Sequence, residues 1–409
     1  MAKFHKLLLL AVLGLCACAA APVAVDGSCA NGAFTIDARF ESGDLDQCEF
    51  TSDTSVALTF LPEDQKVDGA FSWFAFRVTS NVTRNIEIEL RFPTAYARYW
   101  PKISADGHSW APADAASVKR SEDGKSINLV VAADNDGTWV SAQELVTMPF
   151  YEDWLAELRA HEDIETSTIG SSAQGRPIFL ASTLYKPEVV VLIGRQHPAE
   201  VPGALAMREF VDVVLADTEL ARAFRKRFTL LIIPLINPDG VVNGHSRHNA
   251  AETDLNRDWG PFTQPETQSV ERLLADVDKH NVRPRLMLDF HATKMTPTMI
   301  FYTQVPEDNT EPPLFASTWL SRVAERIVDY EFTHDPRPPS GLNNTKNYFL
   351  QRYGIPAITY EIGDEANLDE VRTFTPVFAE EMMQTMLESE CLLRAEHGAR
   401  PCSGHLTVE

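Results

Sequence analysis

Val189-Val190-Val191-Leu192-Ile193-Gly194-Arg195-Gln196-His197-Pro198-Ala199-Glu200 is the stretch whose reading decides the fold. Its first five residues are apolar without a break, as in a strand covered on both faces. The run gives out at Gly194. A histidine and a glutamate follow, and helical spacing then sets in over Ala204–Leu215. The same alternation repeats downstream. Phe228–Ile236 is apolar, Glu266–Lys279 helical, Arg285–Phe290 strand-like, Leu314–Val328 helical, Ala357–Glu361 strand-like and Val377–Glu388 helical. Continuous apolar strands between helices predict an α/β domain with helices on both faces of its sheet. Tyr151–His161, also helical in spacing, leads into it.

Upstream of Pro149 the texture differs. Short runs at Val56–Phe60, Phe71–Val78, Asn85–Phe92, Ser126–Ala132 and Trp139–Val140 are separated by Asp106-Gly107, Asp123-Gly124 and Asp136-Gly137. Such spacing predicts an antiparallel β-sandwich ahead of the α/β domain. The expected organisation is therefore a leader over 1–21, a β-sandwich over 30–148, the α/β domain over 149–392 and a polar tail over 393–409.

Hydrophobic residues make up 44% of the 409, with 7 Trp and 22 Phe, so the chain has ample material for packed cores. Its net charge of −22 disfavours nucleic acid and anionic lipid as partners. Lys3 and Lys6 precede the apolar run Leu7–Leu15 and a group of small residues, the pattern of a secretory signal. Leu15-Cys16-Ala17-Cys18 matches a bacterial lipobox, which makes a lipid on Cys18 the expected membrane contact and the periplasm or outer membrane the expected location. Cleavage near Ala19–Ala21 with release is the alternative. Export permits disulfides, and Cys29/Cys48 with Cys391/Cys402 is the expected local pairing among three connectivities.

In an open α/β sheet, ligands bind beyond the carboxyl ends of the strands. His197, the Asn237-Pro238-Asp239-Gly240 turn, His291 and Glu361 all fall at such ends. A catalytic zinc takes three protein ligands and leaves one position for water. His197 and Glu200, three apart, can reach one ion from a single turn, and His291 can complete the set. Taken singly, each histidine reads as a satisfied loop residue and Glu200 as a solvated helix-start acid. Their common placement favours one zinc per chain. Glu361, after the apolar run Ile355–Tyr360, is the candidate to move the water's proton. Arg247 and Arg257, with Asn256 beside the latter, offer cations for a carboxylate and for a developing oxyanion.

The combination resembles the zinc carboxypeptidases of the carboxypeptidase A type, and within them the cytosolic carboxypeptidase branch with its bacterial members. Arg195 to Glu200 resembles that branch's zinc-binding turn, with Ala199 where Gly is usual. Gly244-His245-Ser246-Arg247 followed by Asp254-Leu255-Asn256-Arg257 keeps the family spacing. Phe40-Glu41-Ser42-Gly43-Asp44-Leu45 and Trp73-Phe74-Ala75-Phe76-Arg77-Val78 resemble the branch's β domain. The resemblance implies a mixed catalytic sheet and zinc on His197, Glu200 and His291. It implies an oxyanion contact from Arg247, and Asn256 and Arg257 for the terminal carboxylate of a peptide substrate. Glu361 is then the general base and acid. It also implies a mobile tyrosine, for which Tyr348 is the match ahead of Tyr353 and Tyr360. Lys346 falls where the family places its selecting residue, which would favour acidic C-terminal side chains; a surface lysine is the bland alternative. Two other readings compete: an aspartoacylase-like amidohydrolase and a catalytically inactive envelope binding module.

Overall fold

The computed structural model describes residues 23–64, 70–293 and 296–396. The leader, with Cys18, and the tail from 397 on, with Cys402, lie outside them, as does the side chain of Cys391. The first part of the chain forms two six-stranded sheets. One orders Val23–Ala24, Gln47–Ser52, Ser55–Thr59, Arg84–Arg91, Ser126–Ala133 and Val118–Arg120; the other orders Ala111–Pro112, Lys102–Ser104, Thr138–Ser141, Ala75–Ser80, Phe34–Asp37 and Ser28–Ala30. Alternation explains the packing. Ile86, Ile88 and Leu90 pair with Val131, Leu129 and Ile127 across the ladder, and all six point inward. Each such burial contributes about 1.5–3 kcal/mol. Phe60, Phe74, Phe76 and Phe92 fill the space between the sheets. Cys29 and Cys48 are disulfide-bonded and join one sheet to the other.

Two details differ from the sequence reading. Ser55–Thr59 runs parallel to Arg84–Arg91, inside an otherwise antiparallel sheet. The run Phe71–Val78 is two strands: Ala70–Phe71 pairs with Ala95–Tyr96, and Ala75–Ser80 joins the second sheet. Ser72, Trp73 and Phe74 are all buried between them, so the period of two is broken there.

The second part carries one eight-stranded mixed sheet. Its strands are β1 (Ile164–Ser171), β2 (Pro177–Thr183), β3 (Glu188–Gly194), β4 (Thr229–Ile233), β5 (Arg283–Thr293), β6 (Ile300–Gln304), β7 (Thr333–Arg337) and β8 (Ala357–Gly363), in the order β1-β2-β4-β3-β5-β8-β6-β7. β4, β3, β5 and β8 are mutually parallel, and the edges include antiparallel pairs. β3 shows why its run has no polar break. Val190 and Leu192 face one core and Val189, Val191 and Ile193 the other. The first core is closed by α2 (Val201–Leu215) and α8 (Leu368–Glu396), the second by α5 (Pro265–Lys279) and α7 (Thr345–Tyr353). α1 (Met148–Ala160) links the two parts of the chain, and α3 (Glu219–Arg227), α4 (Pro238–Val242) and α6 (Phe315–Arg326) complete the set.

Here too the structure departs from expectation in places. Pro234 ends β4 at Ile233, although the apolar run continues to Ile236. α8 begins well before Val377 and passes through Pro376. α3, α4 and α7 have no counterpart among the helices expected from the sequence. α7 hides behind Asn343-Asn344-Thr345-Lys346-Asn347, where Asn344 is its N-cap and accepts from the Asn347 N–H; Gly354, left-handed at φ 66°, closes it. His291 does not end β5, which continues to Thr293 and places His291 opposite Glu361 of β8.

Candidate metal centre and active site

The turn after β3 is fixed from several sides. Arg195 sits at φ 56°, a left-handed conformation that costs a non-glycine residue about 1–3 kcal/mol. Its buried guanidinium offsets that by donating to the Pro198 carbonyl at 2.7 Å and to the Tyr151 hydroxyl of α1 at 3.0 Å. Gln196 donates to Asp289 at 2.7 Å and Thr345 at 2.6 Å, and accepts from the Trp259 indole at 2.8 Å. Pro202 pre-sets the first turn of α2 directly after Glu200. Gly203 is required because a Cβ there would lie 2.5 Å from the His291 carbonyl oxygen.

That scaffold brings His197, Glu200 and His291 together, 4%, 5% and 1% exposed. His197 Nδ1 lies 2.9 Å from one Glu200 oxygen, His291 Nδ1 2.7 Å from the other, and the two Nδ1 atoms 3.2 Å apart. Ligand atoms on a tetrahedral zinc at about 2.0–2.1 Å stand about 3.3 Å from one another, close to this spacing. The far ring nitrogens agree. His197 Nε2 meets Asp254 at 3.1 Å and His291 Nε2 meets Asp289 at 2.9 Å. A carboxylate on Nε2 holds the proton there and leaves Nδ1 free to bind a cation. The donor set therefore fits zinc.

Glu361 enters from β8, and its Oε2 makes no hydrogen bond among the described residues. Burial, followed by the charge of Glu200, pushes its carboxyl up to about 8, against the pull of His291 and Arg98. A cation held by these three residues would offset the Glu200 charge and favour the ionised form of Glu361.

The cleft beside these groups has a volume of about 430 Å³, and Arg247, Asn256, Arg257, Tyr302, Arg337 and Lys346 also face it. Arg247 is held by Asp254 at 2.8 and 2.7 Å. Asn256 accepts from the Thr345 N–H and hydroxyl at 3.0 and 3.1 Å, which leaves its amide beside His291. Arg257 donates to the Asn256 carbonyl at 2.7 Å. Lys346, in the first turn of α7, is only 7% exposed, which excludes the surface-lysine alternative. Its amine donates to the Thr303 carbonyl at 3.0 Å, and burial, aided by Arg337, lowers it to about 8.

Tyr348 requires a correction. It stands two residues beyond Lys346 on one helix, roughly 200° around the axis. It therefore turns away from the cleft, and its ring packs against Trp259 at 5.8 Å and Phe262 at 5.1 Å. Tyr353 pairs with Arg352, and Tyr360 is fully buried among Phe290 and Phe301. The tyrosine in the cleft is Tyr302 of β6, stacked under Arg337 at 4.2 Å. β6 lies well ahead of Glu361 in the chain, between β5 and α6. Asp289 also escaped the sequence reading, although residues two apart on a strand share a face and the pattern Asp289-Phe290-His291 carried that signal. Arg98 and Glu63, contributed from the β-rich part, gave no signal at all. Glu63 accepts the backbone N–H groups of Ser246, Arg247 and His248 at 3.0, 2.6 and 2.7 Å and so fixes the Arg247 loop.

Two histidines and a glutamate at the carboxyl edge of a mixed α/β sheet, with a free carboxyl facing them, define a single-zinc hydrolase. The chain belongs to the zinc carboxypeptidase family: the profile of that family matches residues 151–384, and that of the cytosolic carboxypeptidase N-terminal domain matches residues 36–141. Cytosolic carboxypeptidase 6 of Caenorhabditis elegans is 28% identical over 201 residues, 44% of this chain and 43% of that protein. The chain thus spans less than half of this eukaryotic relative, whereas it spans 87% of an uncharacterised Zymomonas mobilis protein at 22% identity, with 80% of this chain covered. A metallo-carboxypeptidase from Burkholderia cenocepacia superposes with a TM-score of 0.73 at 19% identity, covering 86% of this chain and 99% of that one. A metallo-carboxypeptidase from Pseudomonas aeruginosa, in complex with (2-guanidinoethylmercapto)succinic acid, superposes at 0.68 with 19% identity, covering 88% and 99%. The family and fold expected from the sequence are those found.

Proposed function

We propose that this protein removes single residues from the C-termini of peptides by zinc-assisted hydrolysis. The observation that carries the reading is the convergence of His197, Glu200 and His291 with Glu361 and with Arg247, Asn256 and Arg257 in one cleft. Zinc, when bound, acidifies a water and polarises the scissile carbonyl. Glu361, ionised beside that charge, accepts the water's proton and returns it to the departing amine. Arg247, pinned by Asp254 and by its own backbone, presents a cation to the developing oxyanion. Asn256 and Arg257 receive the substrate's carboxylate, which sets the cut at the last peptide bond. Comparing N-blocked dipeptides with acylated amino acids tests this reading. Faster turnover of the dipeptides is expected, and turnover of acylated amino acids alone would shift the assignment to the amidohydrolase class.

The side-chain pocket beyond Arg257 carries Lys346 and Arg337, which favours acidic C-terminal residues. Lys346→Ala is expected to lower kcat/KM on Glu-ended peptides about 10- to 100-fold, the worth of a charged hydrogen bond, and to spare Leu-ended ones. Equal losses on both would remove Lys346 as the selector. Lys346 loses its charge as pH rises through about 8, so the preference for acidic ends fades above that pH.

A further inference from the structure

Arg98 belongs to the β-rich part of the chain yet ends inside the catalytic cleft, 7% exposed. Its Nε and Nη2 donate to the two oxygens of Asp364 at 2.6 and 3.0 Å, and Nη2 also donates to the Ala292 carbonyl at 2.9 Å. Asp364 follows directly after β8, three residues past Glu361; Ala292 is next to His291 on β5. One planar cation thus bridges two adjacent parallel strands just beyond the level where His291 and Glu361 face each other. The rings of Phe71 and Tyr99 pack against it at 5.4 and 5.1 Å, and Gln143 donates to the Asp364 carbonyl at 2.9 Å. Its charge also reaches Glu200 and Glu361.

We propose that Arg98 is a positioning residue of the reaction, through which the N-terminal β domain sets the separation between the metal ligand His291 and the base Glu361. A general domain adhesive would not need this placement. Ser42 Oγ to the Val241 carbonyl at 2.6 Å joins the two parts at α4, away from these strand ends, whereas Gln143 reaches only the Asp364 backbone and Glu63 only the Arg247 loop, so neither bridges β5 and β8. Only a planar fork satisfies a bidentate carboxylate and a neighbouring carbonyl together, so lysine cannot substitute.

The inference rests on the proposed peptidase activity, and its test is read as a ratio to the wild-type enzyme. Arg98→Ala is expected to keep stoichiometric zinc by atomic emission and to leave KM nearly unchanged. Its kcat should fall about 100-fold, the usual cost of a misplaced reacting group. Added guanidinium should restore kcat about tenfold by reoccupying the fork's place. Ser42→Ala, which cuts an inter-domain bond elsewhere, should leave kcat unchanged. Should Arg98→Ala not fold, Arg98→Lys decides the matter: it keeps the charge and loses the fork, and its kcat should drop at least about tenfold with zinc retained. Wild-type kcat in Arg98→Lys, a loss in Arg98→Ala that guanidinium leaves untouched, or an equal loss in Ser42→Ala would each overturn the role. A wild-type protein that releases no residue would instead fail the peptidase reading itself.

Discussion

Glu361→Gln keeps one zinc per chain and lowers kcat by about 10²–10⁴-fold, with little change in KM. The amide has the shape of the carboxyl but cannot take a proton from water. Glu361 is outside the set of converging ligand atoms, so the metal should stay. Its unbonded Oε2 means that the substitution breaks no hydrogen bond of that atom among the described residues. A second readout separates this residue from a structural acid. In the metal-free protein the Glu361 carboxyl is raised to about 8, above its unfolded value of 4.5. A raised carboxyl binds its proton more tightly when folded, so the stability it contributes is present at low pH and is lost as pH rises from 4.5 toward 8. The metal-free variant should lack that decline, and at pH 8 it should melt above metal-free wild type. Matching melting curves across that range would contradict the electrostatics described for Glu361.

His291→Ala is expected to act differently, by losing the metal. His291 is buried, supplies Nδ1 to the cluster and has Asp289 behind it. Two ligands remain, and Glu200 and Asp289 are left with less compensating positive charge. Loss of an outer partner of a metal-bound histidine typically costs 10–100-fold in affinity, and loss of the histidine itself should exceed about 100-fold. The variant should therefore be isolated without zinc, should show no turnover, and should fail to gain melting temperature when zinc is added, because stabilisation by a ligand scales with its binding to the folded state. Stoichiometric zinc in purified His291→Ala would remove His291 from the ligand set.

Much of this site was legible in the sequence for a physical reason. Parallel strands buried on both faces read as unbroken apolar runs, so the residues that follow those runs announce the ligand-binding edge. His197, Glu200, His291 and Glu361 were found in that way, together with the arginines of the Arg247–Arg257 stretch. What could not be read was the approach of elements distant in the chain. Arg98 meets Asp364 across 266 positions, and Glu63 meets the Arg247 loop across 184. Neither pairing leaves a periodic trace. Tyr348 fails for the opposite reason: its spacing looks suitable, but the polar start of α7 conceals a helix whose winding turns the half-buried ring away from the cleft and onto Trp259 and Phe262. Tyr302 holds the place in the cleft from a strand, β6, that the apolar pattern did not mark.

The most direct test of the account is zinc add-back to chelated wild-type protein, with release of the C-terminal residue from an N-blocked peptide followed by mass spectrometry. Activity should vanish on chelation, return linearly with added zinc and saturate at one zinc per chain, with only the last residue released and none from the C-terminally amidated peptide. Unchanged hydrolysis after complete metal removal, or cleavage of the amidated peptide at the same rate, would contradict the assignment.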